Sequence, residues 1–244
     1  MPNITLTVDG EQYSADAKDT ILTIAREHGI NIPTLCHLDG LSPIGACRLC
    51  LVEIEGSPKL QPACTTVPAE GMVIHTNTEK LARYRRMIVE MMISEGNHHC
   101  AVCVVNSYCE LQNLAYEVGL THVRFPYLFP AKTLDASHKS YAIDRNRCVL
   151  CNRCVRVCHE VEGAHVWDIA GRGLGCTIIS DMNQPWGDSE ACTSCGKCVR
   201  VCPTGALIER GVGVSEMHKG EDFLKYIVTA RNKKEWVAKS HQGE

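Results

Sequence analysis

Eight of the 16 cysteines in this 244-residue chain fall into two copies of one spacing, since "CVLCNRCVRVCHE" and "CTSCGKCVRVCPTGAL" both read C-x2-C-x2-C-x3-C. Thiolates are soft ligands, and their spacing narrows the metal they suit. Three thiolates at x2 intervals cap three irons of a cubic four-iron core, while the fourth, at x3, points away and serves the core of the other copy. The pattern therefore predicts one 4Fe-4S cluster on Cys148, Cys151, Cys154 and Cys202, and a second on Cys192, Cys195, Cys198 and Cys158. A zinc ribbon would instead set two CxxC pairs about 15 to 20 residues apart. The proline typical after the fourth cysteine is present as Pro203 but is His159 in the first copy. That change loosens one turn without removing a ligand.

A second group, Cys36, Cys47, Cys50 and Cys64, has gaps of x10, x2 and x13. The glycine- and proline-containing loop "CHLDGLSPIGACRLC", followed by one distant cysteine, resembles the 2Fe-2S ferredoxin pattern with a longer first gap than the plant type. A zinc site on the CxxC pair is the alternative. The third group, "GNHHCAVCVVNSYCELQ", offers only Cys100, Cys103 and Cys109. Its fourth ligand is either the spare Cys176, in "GRGLGCTII", or one of the two histidines beside Cys100.

Composition agrees with a chain organised around inorganic cores, because 16 cysteines accompany only three phenylalanines. Small modules folded partly around metal fit this better than one large apolar core. The start "MPNITLTVDG" lacks the basic and apolar regions of a signal peptide, so a cytoplasmic setting with reduced thiols is expected rather than disulfides. No run reaches the ~18 apolar residues of a membrane span; attachment to a membrane through partners stays open. A formal charge of -3 offers no basic face for nucleic acid.

The elements that must position these thiols can be sketched from pattern. "ITLTV" and "EQYSA" alternate on either side of Asp9-Gly10, a strong hairpin signal. "DTILTIAREHG" places Ile21, Ile24, Ala25 and His28 on one helical face, with Asp19 or Thr20 as cap and Gly29 as stop. Strands are expected in "LCLVEIEG" and "GMVIHTN". From Thr78 to about Glu95, Leu81, Tyr84, Ile88, Met91 and Met92 recur at helical spacing, the methionines as core filling. The stretch 121–142 reads as a linker wrapping between modules. At 221–237, Phe223, Leu224, Ile227 and Val228 form a stripe on a short charged helix that either docks on a partner or folds back.

Taken together, these motifs resemble the electron-transfer subunits that share an N-terminal region with the complex I large iron-sulfur subunit, iron-only hydrogenases and NAD-linked formate dehydrogenases. Over roughly residues 1–215, the chain is similar to the small iron-sulfur diaphorase subunit of bidirectional NAD(P)-linked nickel-iron hydrogenases. The resemblance implies an α+β chain: a β-grasp 2Fe-2S ferredoxin-type domain at 1–78 and a helical segment at 79–120 holding a 4Fe-4S cluster on one histidine and three cysteines. A linker at 121–142, a double 4Fe-4S ferredoxin-like domain at 143–215 and a tail at 216–244 follow. The family motif H-x3-C-x2-C-x5-C, often opening Asn-His, matches "NHHCAVCVVNSYC" with a shortened histidine gap. In an extended segment, residues two apart share a side, which favours His98 over His99 as the partner of Cys100, Cys103 and Cys109.

One 2Fe-2S and three 4Fe-4S clusters would then make the chain a wire with no substrate site of its own. The "GRGLG" stretch is a weak nucleotide signal, and no phosphate loop is present. The resemblance implies as partners a flavin-containing NAD(P)H-binding diaphorase subunit and the small and large subunits of a nickel-iron hydrogenase. The alternatives are the electron-input module of another NAD-linked complex and a zinc-binding interaction module. Arg147, Arg153, Arg156, Lys197 and Arg200 stand among the ligands and could offset cluster charge, although the plainer expectation leaves several of them solvated or at subunit contacts.

Overall fold

A computed structural model of the chain describes residues 3–217 and 219–233. Strands β1 (Asn3–Val8) and β2 (Glu11–Asp16) pair antiparallel with Val8 opposite Glu11. That leaves a two-residue loop whose members, Asp9 and Gly10, both have positive φ, 50° and 91°, as the twist of a tight hairpin requires. The Asp9 carboxylate also accepts from the Thr76 amide at 2.7 Å, which fastens the turn to the end of the domain.

Helix α1 (Ile21–Glu27) is capped by the Thr20 hydroxyl, which accepts from the Thr23 amide, and Gly29 follows at φ 73°. Its buried face is Ile21, Leu22, Ile24 and Ala25. His28 does not join that face; it is exposed and packs on the Tyr13 ring, 4.5 Å between centroids. Strands β3 (Leu51–Ile54), β4 (Gln61–Pro62) and β5 (Val73–His75) complete a five-stranded sheet of order β2-β1-β5-β3-β4, in which β1 and β5 run parallel.

Helix α2 (Glu79–Ser94), capped by Thr78, leads to the third cysteine group. Its fully buried positions are Leu81, Arg85, Val89, Glu90 and Ser94, whereas Tyr84, Ile88 and Met92 are half-buried and Met91 is exposed. The apolar spacing thus located the helix but misplaced its innermost face. Two charged residues hold that face because each is neutralised locally: Arg85 donates to the carbonyls of Leu49, Leu51 and Thr76 at 2.9 to 3.1 Å, and Glu90 receives Arg124 at 2.9 Å.

Helix α3 (Glu110–Glu117) follows the third group. Residues 121–133 then run over the surface without regular structure, held by Arg124 and by the Leu128 amide on the Ser94 carbonyl. The expected linker is shorter than 121–142, since β6 (Leu134–Asp135) and the start of β7 (Tyr141–Asp144) lie within it. The repeat supplies α4 (Arg153–Arg156), extended by a wider turn over Val157–Glu162, and α5 (Lys197–Val201). Between them a hairpin of β8 (Trp167–Ala170) and β9 (Thr177–Ser180) forms the insertion, and β10 (Leu207–Glu209) returns to pair with β7.

Helix α6 (Asp222–Lys233) folds back on the chain: Leu224 is buried, and Leu224 and Val228 lie directly against Gly40. Residues 234–237 of the expected tail helix lie outside the described residues.

Apolar packing divides in an unexpected place. One core comprises the sheet, α1, Cys50 and Cys64; the other gathers Leu35, Cys36, Leu38, Leu41, Cys47 and Leu49 with α2, α3 and the repeat. The seam therefore passes through the second cysteine group. Since Arg85 ties loop carbonyls on both sides of that seam, Arg85→Ala should destabilise the protein by about 3 kcal/mol, the scale of leaving buried carbonyls unsatisfied. Lys80→Ala, which removes an exposed ion pair to Glu53, should change stability by under about 1 kcal/mol; urea unfolding of both variants measures the contrast.

Candidate metal centres

The two repeats adopt the same backbone. Left-handed residues occur at Leu150 (φ 52°) and Asn152 (φ 61°) in the first copy, and at the equivalent Ser194 (φ 57°) and Gly196 (φ 69°) in the second. Such residues turn a loop sharply and direct its amides inward; the Leu150 amide lies 3.4 Å from Cys148 Sγ. Each copy then enters a short helix, α4 or α5, whose far end delivers the fourth thiol away from its own loop.

Cys148, Cys151 and Cys154 line a hollow of about 350 Å³ of atom-free space together with Cys202, Pro203 and Ile143. Cys192, Cys195 and Cys198 line another, of about 340 Å³, with Cys158, Trp167 and Trp186. Each hollow is thus lined by three cysteines of one copy and the fourth cysteine of the other. Sulfur acceptors meet further donors: the Val166 amide stands 3.4 Å from Cys158 Sγ and the Trp186 indole Nε1 3.3 Å from Cys192 Sγ. Burial pushes the Cys148 thiol up to about 11 and those of Cys151 and Cys198 up to about 12, and also raises Cys154 well above the usual thiol value. Metal loading must therefore displace protons from these sites.

The second group is arranged in pairs. Cys36 lies beside Cys47, whose amide is 3.4 Å from Cys36 Sγ, and Cys50 beside Cys64; the close approach within each pair raises the pKa of Cys36 and of Cys50 and lowers that of Cys47 and of Cys64. All four are buried. Two thiol pairs side by side match two irons with two cysteines each, and Gly45 (φ 61°) and Arg48 (φ 59°) shape the loop between them.

In the third group Cys103 and Cys109 are buried and Cys100 is exposed. Electrostatic coupling with Cys103 raises Cys100 after burial does, and Cys109 is pushed up to about 11 by burial, with smaller contributions from Cys103 and Cys100. His98 is turned inward and His99 is exposed. The His98 ring lies against Gly96, and its Nε2 is 3.2 Å from the Met92 carbonyl. A proton on Nε2 would leave the Nδ1 lone pair for a metal, the usual pattern in which the second ring nitrogen is fixed by a backbone acceptor. Burial lowers the His98 pKa, and the nearby Arg147 charge lowers it further, which favours the neutral ligand form. Cys176 lies apart from this group, half-buried before β9, with its Sγ 3.6 Å from the Gly171 carbonyl and its own carbonyl held by Lys132.

Cations connect the groups. Arg156 is buried and donates to the carbonyls of Cys36 and of Ser42 (2.6 Å), fastening the first loop to α4. Arg153, also buried, donates to the His37 carbonyl at 3.1 Å and forks onto Glu110 at 2.5 and 2.8 Å. Arg147 Nη1 reaches Cys103 Sγ at 3.2 Å from the position beside Cys148. These three are neither solvated nor free for subunit contacts, so the plainer expectation fails for them; Lys197 pairs with Glu162, and Arg200 stacks on Phe223 at 5.0 Å. Spacing alone gave no sign of Trp186, or of Lys219, whose ammonium donates to the carbonyls of Val199 (2.8 Å) and Leu207 (2.7 Å).

The thiols fit multi-iron groups. Four thiolates on one zinc would stand about 3.8 Å apart. Among the described residues, no three His, Cys, Asp or Glu side chains converge on a single ion. The crossed thiols instead surround spaces for a core of many atoms.

Comparison with known proteins finds iron-sulfur regions along the chain. Family models match a 2Fe-2S iron-sulfur cluster binding domain at residues 2–79, the NADH-ubiquinone oxidoreductase-G iron-sulfur binding region at 85–124, and a 4Fe-4S binding domain at 185–208. The chain is 31% identical to the NAD-reducing hydrogenase HoxS subunit gamma of Cupriavidus necator, covering 88% of this chain and 90% of that one. It is 38% identical to the NADPH-Fe(3+) oxidoreductase subunit alpha of Geobacter sulfurreducens over 85% of this chain, but spans only 24% of that longer protein. Among solved structures, the NAD+-reducing [NiFe]-hydrogenase in the H2-reduced state matches with a TM-score of 0.82 at 35% identity, covering 87% of this chain and 89% of that one.

Four substitutions test the arrangement. Cys202→Ala should remove the electron paramagnetic resonance signal of the cluster on Cys148, Cys151 and Cys154 and spare the cluster of its sequence neighbours, while Cys176→Ala should leave every signal. Loss of the Cys192–Cys198 signal in the first variant would overturn the exchange. His98→Ala should weaken or abolish the third 4Fe-4S signal and His99→Ala should leave it intact; the reverse result would move the ligand by one residue.

Proposed function

The chain belongs to the family of the NAD-reducing hydrogenase gamma subunit, and from that membership we propose an iron-sulfur wire joining a flavin-containing, NAD(P)H-oxidising subunit to the small and large subunits of a nickel-iron hydrogenase. It is an oxidoreductase subunit that transfers electrons within such a complex. Among the described residues no helix is long and apolar enough to cross a membrane.

In this reading the chain consists of a β-grasp ferredoxin domain, a helical segment with a histidine-containing site, and a two-cluster domain. Cys36, Cys47, Cys50 and Cys64 hold one 2Fe-2S cluster. The three 4Fe-4S clusters are held by His98 with Cys100, Cys103 and Cys109, by Cys148, Cys151, Cys154 and Cys202, and by Cys192, Cys195, Cys198 and Cys158. Clusters at these positions supply reversible one-electron chemistry, with potentials set by charge, hydrogen bonds to sulfur and exposure. The protein's own part is positional and electrostatic. Arg156 and Arg153 lock the loop of Cys36 and Cys47 onto α4, and Arg147 and Trp186 donate to ligand sulfurs.

The observation that carries this reading is the pair of crossed four-thiol hollows beside a separate two-by-two thiol group. Complex purified without oxygen should contain about 14 irons per chain; fewer than about ten, with zinc making up the balance, would favour an interaction module. The co-purifying subunits should include a flavoprotein and a nickel-iron hydrogenase. The isolated chain should take up no hydrogen, and uptake by the pure chain would refute the wire.

A further inference from the structure

Lys219 lies outside every cysteine motif, in the segment that joins the repeat domain to α6. Its stem is half-buried, and its ammonium donates inward to two backbone carbonyls, Val199 at 2.8 Å and Leu207 at 2.7 Å. Both acceptors belong to walls of the metal sites. Val199 follows Cys198 on α5, and Leu207 lines the hollow shared by Cys148, Cys151, Cys154 and Cys202. The third group abuts the same turn, because the Glu110 amide, next to Cys109, donates to the carbonyl of Pro203, next to Cys202. Gly205 brings this contact closer still, since a Cβ at that position would stand 2.6 Å from Cys103 Sγ.

The geometry points to Lys219 as one cation shared by the three 4Fe-4S sites, setting their reduction potentials together while leaving the 2Fe-2S site untouched. This rests on the ligand sets proposed above. Of the carboxylates that line the same cleft as Lys219, Glu110 pairs with Arg153 and Asp39 with Arg26, while burial raises the Glu221 pKa and so disfavours its charged form. Burial lowers the Lys219 pKa, and the thiols of Cys202, Cys198, Cys109 and Cys103, in that order, oppose the shift. A fixed positive charge favours the more negative, reduced state of any redox group near it, and in a dry interior it is weakly screened. A shared cation therefore raises the three potentials in parallel and limits the steps between them.

The test uses the assembled complex with all clusters loaded, titrated by electron paramagnetic resonance. Lys219→Gln keeps a hydrogen-bond donor but removes the charge; Lys219→Met removes both, and Lys219→Arg restores the charge. The Gln and Met variants should shift all three 4Fe-4S potentials downward beyond the scatter of replicate titrations, the Arg variant should stay near wild type, and the 2Fe-2S potential should hold in all. Should the Met variant fail to assemble, the Gln variant decides. Wild-type potentials in the Gln variant, a shift confined to one cluster, or an equal shift of the 2Fe-2S centre would overturn the shared cation. Missing cluster signals in the wild-type complex would instead defeat the ligand sets themselves, so the two failures are distinct.

Discussion

The rest of the molecule depends on how two cysteine loops face each other, each hollow being lined by three thiols of one copy and the fourth of the other. A loop with three thiols at x2 spacing cannot bring its own fourth thiol back, because the intervening residues have already entered α4 or α5 and carry Cys158 and Cys202 away. Each loop therefore needs the other. In this arrangement β7 pairs with β10, and the β8–β9 hairpin carries the insertion between the copies. The repeated left-handed residues at Leu150, Asn152, Ser194 and Gly196 are the local consequence.

The remaining modules attach to that pair through charge. The main chain of a cysteine loop exposes carbonyls that no strand or helix satisfies, and buried arginines serve them. Arg156 and Arg153 hold the first loop to α4, and Arg85 holds the same loop to α2. Each guanidinium is buried at a desolvation cost that several carbonyls and, for Arg153, the Glu110 carboxylate offset. The cations also stand beside groups that carry negative charge when loaded, so one set of residues both assembles the modules and sets the electrostatic field in which electrons move. The seam between the two apolar cores falls across the first thiol group for the same reason: Cys36 and Cys47 are drawn to the arginine side, while Cys50 and Cys64 stay with the sheet.

Much of the local structure was legible. The Asp9-Gly10 hairpin, the Thr20 and Thr78 caps and the stop at Gly29 follow from turn and capping chemistry within a few residues. Pattern reasoning failed where a polar group is buried with its partners. Arg85 and Glu90 occupy the inner face of α2, where apolar spacing placed Tyr84, Ile88 and Met91, because the compensating carbonyls and Arg124 are distant in sequence. Leu22 replaced His28 on α1 because the helix is short and enclosed on a wide face, while the His28 ring finds Tyr13 outside. The expected linker runs into β6 and β7; β6 pairs with β7, whose other neighbour, β10, lies more than 60 residues downstream.

Cysteine spacing by itself pointed to binding regions of both the 2Fe-2S and the 4Fe-4S kind, because ligand intervals reflect the reach of a short loop around a core of fixed size. It also predicted that Cys158 and Cys202 leave their own loops, and each of them lines the hollow of the other copy. Only the tertiary structure decided what lies between the sites. It turned His98 inward and His99 outward, and it placed Trp186 on Cys192. It also moved Arg147 onto Cys103, brought Arg156 to the Cys36 loop and drew Lys219 to the turn where the repeat and the third group meet. Those positions depend on how separately folded segments pack, and a hydrogen bond between residues 120 apart in the chain leaves no period or motif in either segment.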